Sequence, residues 1–319
     1  MMKKNSSKIK RIYTVFGLKI SSEIPISELL PSEGDEDIKI ILGKVPSKID
    51  HIIIKADDYQ MSKTEFLFSV ENVGRYYIKD GKLILIEPYE KADSKSINVY
   101  LMGTAFGVVL LQRGMVPIHG SSVIINDQCV IFTGDCGAGK STLCSAFRKN
   151  EYEFLSDDIS VITLNEEGIP MVQPAFPQQR LCSDSARMMG YDIASLSLAS
   201  NTDHKYVISD PNNFKSEPMP LVAIFELCPK QDCTIGIRKL EGTDKLWNII
   251  KNIYYSTILL RLGINVDYFK QCIDIVKIIP FYYIVRPEDK YTVKEQIEIV
   301  KKTLDILLKE RKLRKTSTA

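Results

Sequence analysis

The chain has no Cys-x-x-Cys pair, and its seven cysteines (129, 136, 144, 182, 228, 233 and 272) are odd in number. Both facts argue against a disulfide framework or a zinc knuckle, and a reducing cytoplasm is the expected compartment. No charge excess is present either: 42 Lys and Arg against 40 Asp and Glu leave a net +2, which gives no strong pull toward nucleic acid. Long apolar runs are missing. The longest, 99–111, has thirteen residues, short of the roughly 20 that span a bilayer, so a buried helix over 96–113 is expected and no membrane partner. Gly103 and Gly107 within it are four apart and should permit close packing. The N-terminal Met-Met-Lys-Lys-Asn-Ser-Ser-Lys is basic but is not followed by an apolar signal core.

What remains is a chain of 319 residues with 45% hydrophobic content, enough to bury a sizeable core. At about 100–200 residues per domain it suggests two units. Residues 1–93 carry short β-favouring runs at 11–16, 38–42, 52–54, 66–70, 75–78 and 83–86, separated by turn residues such as Gly34-Asp35 and Asp80-Gly81. They read as a smaller β-rich domain. A charged break at 90–95 leads into the apolar helix and then into residues 94–319, a mixed α/β unit. Strands are expected there at 122–125, 129–133, 153–155, 160–164, 221–226, 234–240 and 281–285. Helices fit 140–149, 183–189, 245–262, 267–278 and 292–309. Residues 196–214, rich in Ser, Asn and Asp, read as a long loop able to close over substrate, and the basic tail from 309 as a frayed helix end.

The segment Gly134-Asp135-Cys136-Gly137-Ala138-Gly139-Lys140-Ser141-Thr142 follows an apolar strand and opens a helix. Glycines there let successive N–H groups and the helix N-terminus face one anion, which makes the segment a phosphate cradle. Lys140 would sit on the β- and γ-phosphates and Ser141 on a magnesium ion. Asp157-Asp158 begins seventeen residues after the lysine. A helix over 139–150 runs about 16–18 Å at roughly 1.5 Å per residue, and an extended 153–157 returns about 16 Å at roughly 3.3 Å per residue. The two legs nearly cancel, so in a right-handed β-α-β unit the acids end beside the loop. Neighbouring side chains on an extended chain face opposite ways, so the two carboxylates should have different roles.

The run Pro117-Ile118-His119-Gly120-Ser121-Ser122, a hairpin through Asn126-Asp127, the glycine loop and Leu155-Ser156-Asp157-Asp158 together resemble the catalytic domain of the HPr kinase/phosphorylase family, and most nearly its kinase-like branch. The specific likeness covers about 115–164 and extends more weakly through Arg180-Leu181, Lys205 and 220–225. It implies a P-loop fold akin to phosphoenolpyruvate carboxykinases and an ATP- and magnesium-dependent kinase acting on a serine hydroxyl. By the same resemblance Asp157 would accept the hydroxyl proton, Asp158 would hold metal or orient the site, and His119 would lie near the phosphates. Arg180 and Lys205 would stabilise the transferring phosphoryl group.

Two departures are present. Thr142 stands where the bifunctional enzymes carry glutamate, and their glycine-rich Glu-x-Arg-Gly stretch is absent, which puts phosphorylase activity and HPr as acceptor in doubt. Residues 11–24 resemble the leader region of kinases found with ribosomal peptide biosynthesis, including lasso-peptide precursor kinases. The acceptor is then a peptide serine or a small molecule such as free serine; a nucleotide-binding regulator with little catalysis is the remaining alternative. A homo-oligomer is compatible with the sequence.

Overall fold

A computed structural model of the chain describes residues 10–200 and 204–317. The first eight residues, on which the reading of the basic N-terminus rests, lie outside them. Nine strands of the N-terminal part form one sheet, in the order Leu30–Pro31, Arg11–Val15, Leu18–Ser22, Ile38–Leu42, Leu83–Pro88, Gly74–Lys79, Glu65–Val70, Tyr59–Met61, Ile54–Lys55. Phe16 and Gly17, at φ 56° and 74°, turn the first hairpin in the left-handed conformation that matches strand twist.

The apolar helix covers one face of this sheet. Its Leu101, Phe106, Val108, Val109 and Leu110 share one core with Tyr76, Ile78, Ile84 and Ile86 of the sheet, and with Ile159 and Val161 of the next. The stretch Ser94–Gln112 has the length and composition to cross a membrane, but here its apolar face is spent on the chain's own two sheets. It is not one uninterrupted α-helix: Ser94–Tyr100 and Phe106–Gln112 are α-helical and Leu101–Ala105 is a π-turn.

The second sheet is built from eight strands, ordered Gln128–Thr133, Val116–Ile125, Ile159–Leu164, Pro170–Gln173, Met219–Lys230, Phe281–Pro287, Gly236–Leu240, with Phe154–Ser156 paired beside Val116–Ile125. Gln128–Thr133 also pairs in parallel with Met219–Lys230, so five of the strands close on themselves. The helices Lys140–Arg148 and Val293–Ser317 pack on the core that holds Phe132, Phe147 and Phe225; Gly242–Lys251 and Val266–Ile278 pack on another, around Ile131, Ile224 and Phe281.

Three expectations need correction. The 245–262 helix is two helices, Gly242–Lys251 and Ser256–Leu262, broken where Tyr255 adopts φ 62°. The break is held from outside: Asn252 O accepts from His119 N at 2.8 Å and Tyr254 N donates to Pro117 O at 2.7 Å. Residues 196–214 are not a loop throughout, because Ser197–Leu198 and Lys205–Ser209 form a third sheet with Gln178–Cys182. The last helix continues to Ser317 instead of fraying from 309.

Candidate functional site

The expected hairpin turns through Asn126 and Asp127, at φ 52° and 57°, and delivers Gln128–Thr133 into the glycine loop. A Cβ on Gly134 would meet Leu227 O at 2.6 Å, so only glycine lets the loop leave the sheet at that point. At its other end Gly139, at φ 102°, caps Lys140–Arg148 without a side-chain hydrogen bond. First-turn N–H groups have no partner within a helix, and none is supplied by the cap, an arrangement able to receive an anion. Lys140 donates its amine to Gly134 O at 2.9 Å and Asp135 O at 3.0 Å, across the mouth of the loop. Burial lowers its pKa, and the nearby Asp158 charge opposes that shift.

Phe154–Ser156 runs antiparallel to Val116–Ile125, with Ser156 opposite Ser122, and so brings the two acids back to the loop. Beneath them, buried hydroxyls link Ser122 to Ser156 at 2.6 Å and Ser156 to Ser160 at 2.7 Å, and Ser160 donates to Gly120 O at 3.0 Å. Asp157 is only 6% exposed. Both its oxygens are engaged: Oδ1 accepts from Ser121 Oγ at 2.6 Å and Oδ2 from the backbone N of Arg180 at 3.0 Å. Asp158, at φ 74°, turns the other way. Its Oδ1 lies 3.6 Å from His119 Nε2, and its Oδ2 accepts from Arg180 Nη2 at 3.2 Å. Burial alone would raise the Asp158 pKa, but His119, Arg180 and Lys205 outweigh it and hold the carboxyl well below the usual carboxylate range.

Asp158, His119, Lys140, Arg180 and Lys205 line one cavity of about 240 Å³ together with Cys136, Gly137, Gly139, Ser141 and Thr142. Asp157 lies below that surface, Gly134 and Ala138 are buried in the loop, and Asp135 is exposed on it. The Thr142 hydroxyl is bonded to Ser185 Oγ at 2.9 Å. Arg180 and Lys205 reach the cavity from the small third sheet, whose strands pair Cys182 with Lys205 and Arg180 with Val207.

Four contributors were not evident from the sequence. Ser121 supports Asp157. Gln179 donates to Ser141 O at 2.7 Å. Tyr254 sets its ring edge-on to His119, with centroids 5.8 Å apart; burial and then the Asp158 charge push its phenol far above the ordinary value, so it stays protonated. Arg286 donates Nη2 to Ala138 O at 2.9 Å from a strand 148 residues further along the chain, a distance at which no local pattern signals it.

Among the described residues no group of three or more His, Cys, Asp or Glu side chains would hold a metal by itself. Ser141 and Asp158 both border the cavity, and two oxygen ligands suit a magnesium ion that takes its others from phosphates and water.

No family model matches the chain, and no curated protein matches it. Among solved structures it is similar to the Hpr(Ser) kinase/phosphatase from Coxiella burnetii over 60% of this chain and 98% of that one, at 11% identity and a TM-score of 0.33. At that score the likeness carries no functional weight.

Proposed function

We propose that the protein is an ATP-dependent kinase that transfers a γ-phosphoryl group to a serine hydroxyl on a peptide or small molecule. The observation that carries this reading is that a helix N-terminus with Lys140 and a carboxylate flanked by cations border one cavity. Phosphoryl transfer asks little covalent chemistry of a protein; it needs positioning and positive charge around the equatorial oxygens. The loop N–H groups and Lys140 would hold the phosphates, and Arg180 and Lys205 would face the transferring group. Magnesium, with Ser141 as its ligand from the protein, would supply further charge neutralisation.

Asp158, and not Asp157, is the carboxylate we assign to the acceptor hydroxyl, because Asp157 has both oxygens engaged below the cavity. A carboxylate held at so low a pKa is a weak base, so it orients the hydroxyl and takes its proton late, as the bond to phosphorus forms. Asp157 fixes Arg180 through its backbone. The free cysteines suit a reducing compartment. The resemblance of residues 11–24 to precursor-peptide kinases favours a ribosomal peptide as acceptor.

The test is transfer of label from γ-labelled ATP to free serine and to a panel of serine peptides, with Lys140→Ala as control. Labelled peptide without labelled serine supports the peptide kinase, and labelled serine alone refutes the peptide. ATP binding with no labelled acceptor defeats the kinase reading in favour of a regulator.

A further inference from the structure

Glu226 is buried, 5% exposed, and does not line the cavity at the glycine loop. It lies on Met219–Lys230 opposite Thr133, the last residue of the strand that runs into that loop. Three side chains of one helix end meet its carboxylate. Lys251 Nζ donates to Oε1 at 2.6 Å, Asn252 Nδ2 donates to Oε2 at 3.4 Å, and Asn248 Nδ2 donates to the same oxygen. We propose that Glu226 is a positioning residue for transfer, which fixes the break after Gly242–Lys251 and through it the place of His119 beside Asp158; the inference rests on the kinase reading above.

The three donors belong to the last turn and the C-cap of Gly242–Lys251. A carboxylate beside the last turn of a helix gains nothing from the helix dipole, whose negative end is there. A buried ion pair is also weak evidence for stability, and its best-attested use is to fix a register. Here the register is that of the residues just past the helix. The Asn252 amide is held by Glu226 and by Asn248 O, to which it donates at 2.9 Å, while the Asn252 carbonyl accepts from His119 N at 2.8 Å. Two residues on, Tyr254 N donates to Pro117 O at 2.7 Å, and the Tyr254 ring stands edge-on to the imidazole of His119.

The other polar group of the His119 backbone is held as well, because its carbonyl accepts from Thr133 Oγ1 at 2.9 Å. Both restraints therefore trace to one pair of facing strand residues, Thr133 directly and Glu226 through Asn252. At the far end of this path His119 Nε2 lies 3.6 Å from Asp158 Oδ1. Glu226 touches neither Asp158 nor the cavity, so its influence on transfer passes through the placement of the imidazole. Misplacement by roughly 1 Å, caused far from the chemistry, can cost ~10²-fold in rate.

Steady-state kinetics of the full chain, with whichever serine acceptor takes most label, tests the assignment. Glu226→Ala is expected to lower kcat by ~10–10²-fold and to leave KM for ATP unchanged, because the carboxylate bonds to the helix end and not to the glycine loop. Glu226→Gln keeps an oxygen for Asn252 and should recover most of the loss. In a His119→Ala background Glu226→Ala should cost nothing further, since the two act along one path. Losses that multiply, or a Glu226→Ala protein that keeps its kcat, overturn the proposal. Should Glu226→Ala fail to fold, Asn252→Ala removes the amide that meets Glu226, retains the carbonyl that holds His119, and is judged by the same criteria. NMR of the isotope-labelled histidines gives a readout without turnover: Glu226→Ala, or Asn252→Ala in its place, should shift the His119 resonance and leave that of His51 unmoved, and an unmoved His119 overturns the proposal. If the wild type labels no acceptor the kinase reading falls, and the His119 resonance alone decides whether Glu226 places that side chain.

Discussion

Ser121 donates its hydroxyl to Asp157 Oδ1 at 2.6 Å, and with the Arg180 amide on the other oxygen this bond decides which of two adjacent acids faces the cavity at the glycine loop. Asp158 is left to meet the cavity, the His119 imidazole and the Arg180 guanidinium.

Replacing Asp158 with Asn is therefore expected to lower transfer by ~10²–10⁴-fold, the range for a lost general base, with ATP binding retained. Asp157→Asn should act mainly on stability. Its amide would turn a donor toward the Ser121 or Arg180 donor, at a cost of about 1–3 kcal/mol. Steady-state kinetics and urea unfolding of both variants separate the roles, and a larger kinetic loss in Asp157→Asn would return the acceptor role to that residue.

The depressed Asp158 pKa has a signed consequence for stability. The unfolded chain, with an Asp pKa near ~3.9, binds this proton before the folded one does, so the ionised carboxylate stabilises the fold above that value. The contribution is lost as pH falls through the lower folded pKa. Wild-type stability relative to Asp158→Asn should be greater near pH 5 than below ~4, where that advantage declines. An advantage that keeps growing below ~4 would contradict the assignment of His119 and Arg180 as its partners.

Gly107 packs the helix Phe106–Gln112 closely against Tyr254 and Tyr255. A Cβ there would lie 2.6 Å from Tyr254 Cδ1 and 3.2 Å from Tyr255 Cδ2. Gly107→Ala should destabilise by about 1–3 kcal/mol, as overpacking does, and should lower kcat with little change in KM because Tyr254 is pressed out of register with His119. A variant that loses stability but keeps its kcat would mean that Tyr254 is only packing.

Arg148, 4% exposed, is bonded to Asp210 Oδ2 at 2.7 Å and to Gln179 Oε1 at 2.7 Å, and it stacks on Phe154. Asp210→Ala leaves that guanidinium without its counter-charge; a broken buried pair costs about 3–5 kcal/mol, and the lower end applies because Asp210 is part-exposed. Since Gln179 also holds Ser141 O, ATP affinity should fall along with the urea midpoint. Unaltered affinity would show the glycine loop to be independent of this pair.

The strand, glycine loop and helix beside the two acids were readable in the sequence because their cues are local. Glycine spacing, an Asn-Asp turn and a strand-loop-helix order all act within a few residues. The 245–262 helix was misread for the opposite reason: its apolar period runs on through Asn252, and what breaks it is the edge of the strand carrying Pro117 and His119. Lys205–Ser209 was hidden by its Ser- and Asn-rich surroundings, although Lys-Tyr-Val-Ile-Ser is itself a β-favouring run. Arg286 and Tyr254 reach the site only through tertiary packing.

In the small third sheet Arg180 stands opposite Val207 and Cys182 opposite Lys205. Alternate residues on a strand, and directly paired residues across two strands, share a face. The two cations thus ride on one side of a single hydrogen-bonded ladder, geared to each other. Two of the positive charges that act on the Asp158 carboxylate therefore depend on the integrity of one short ladder.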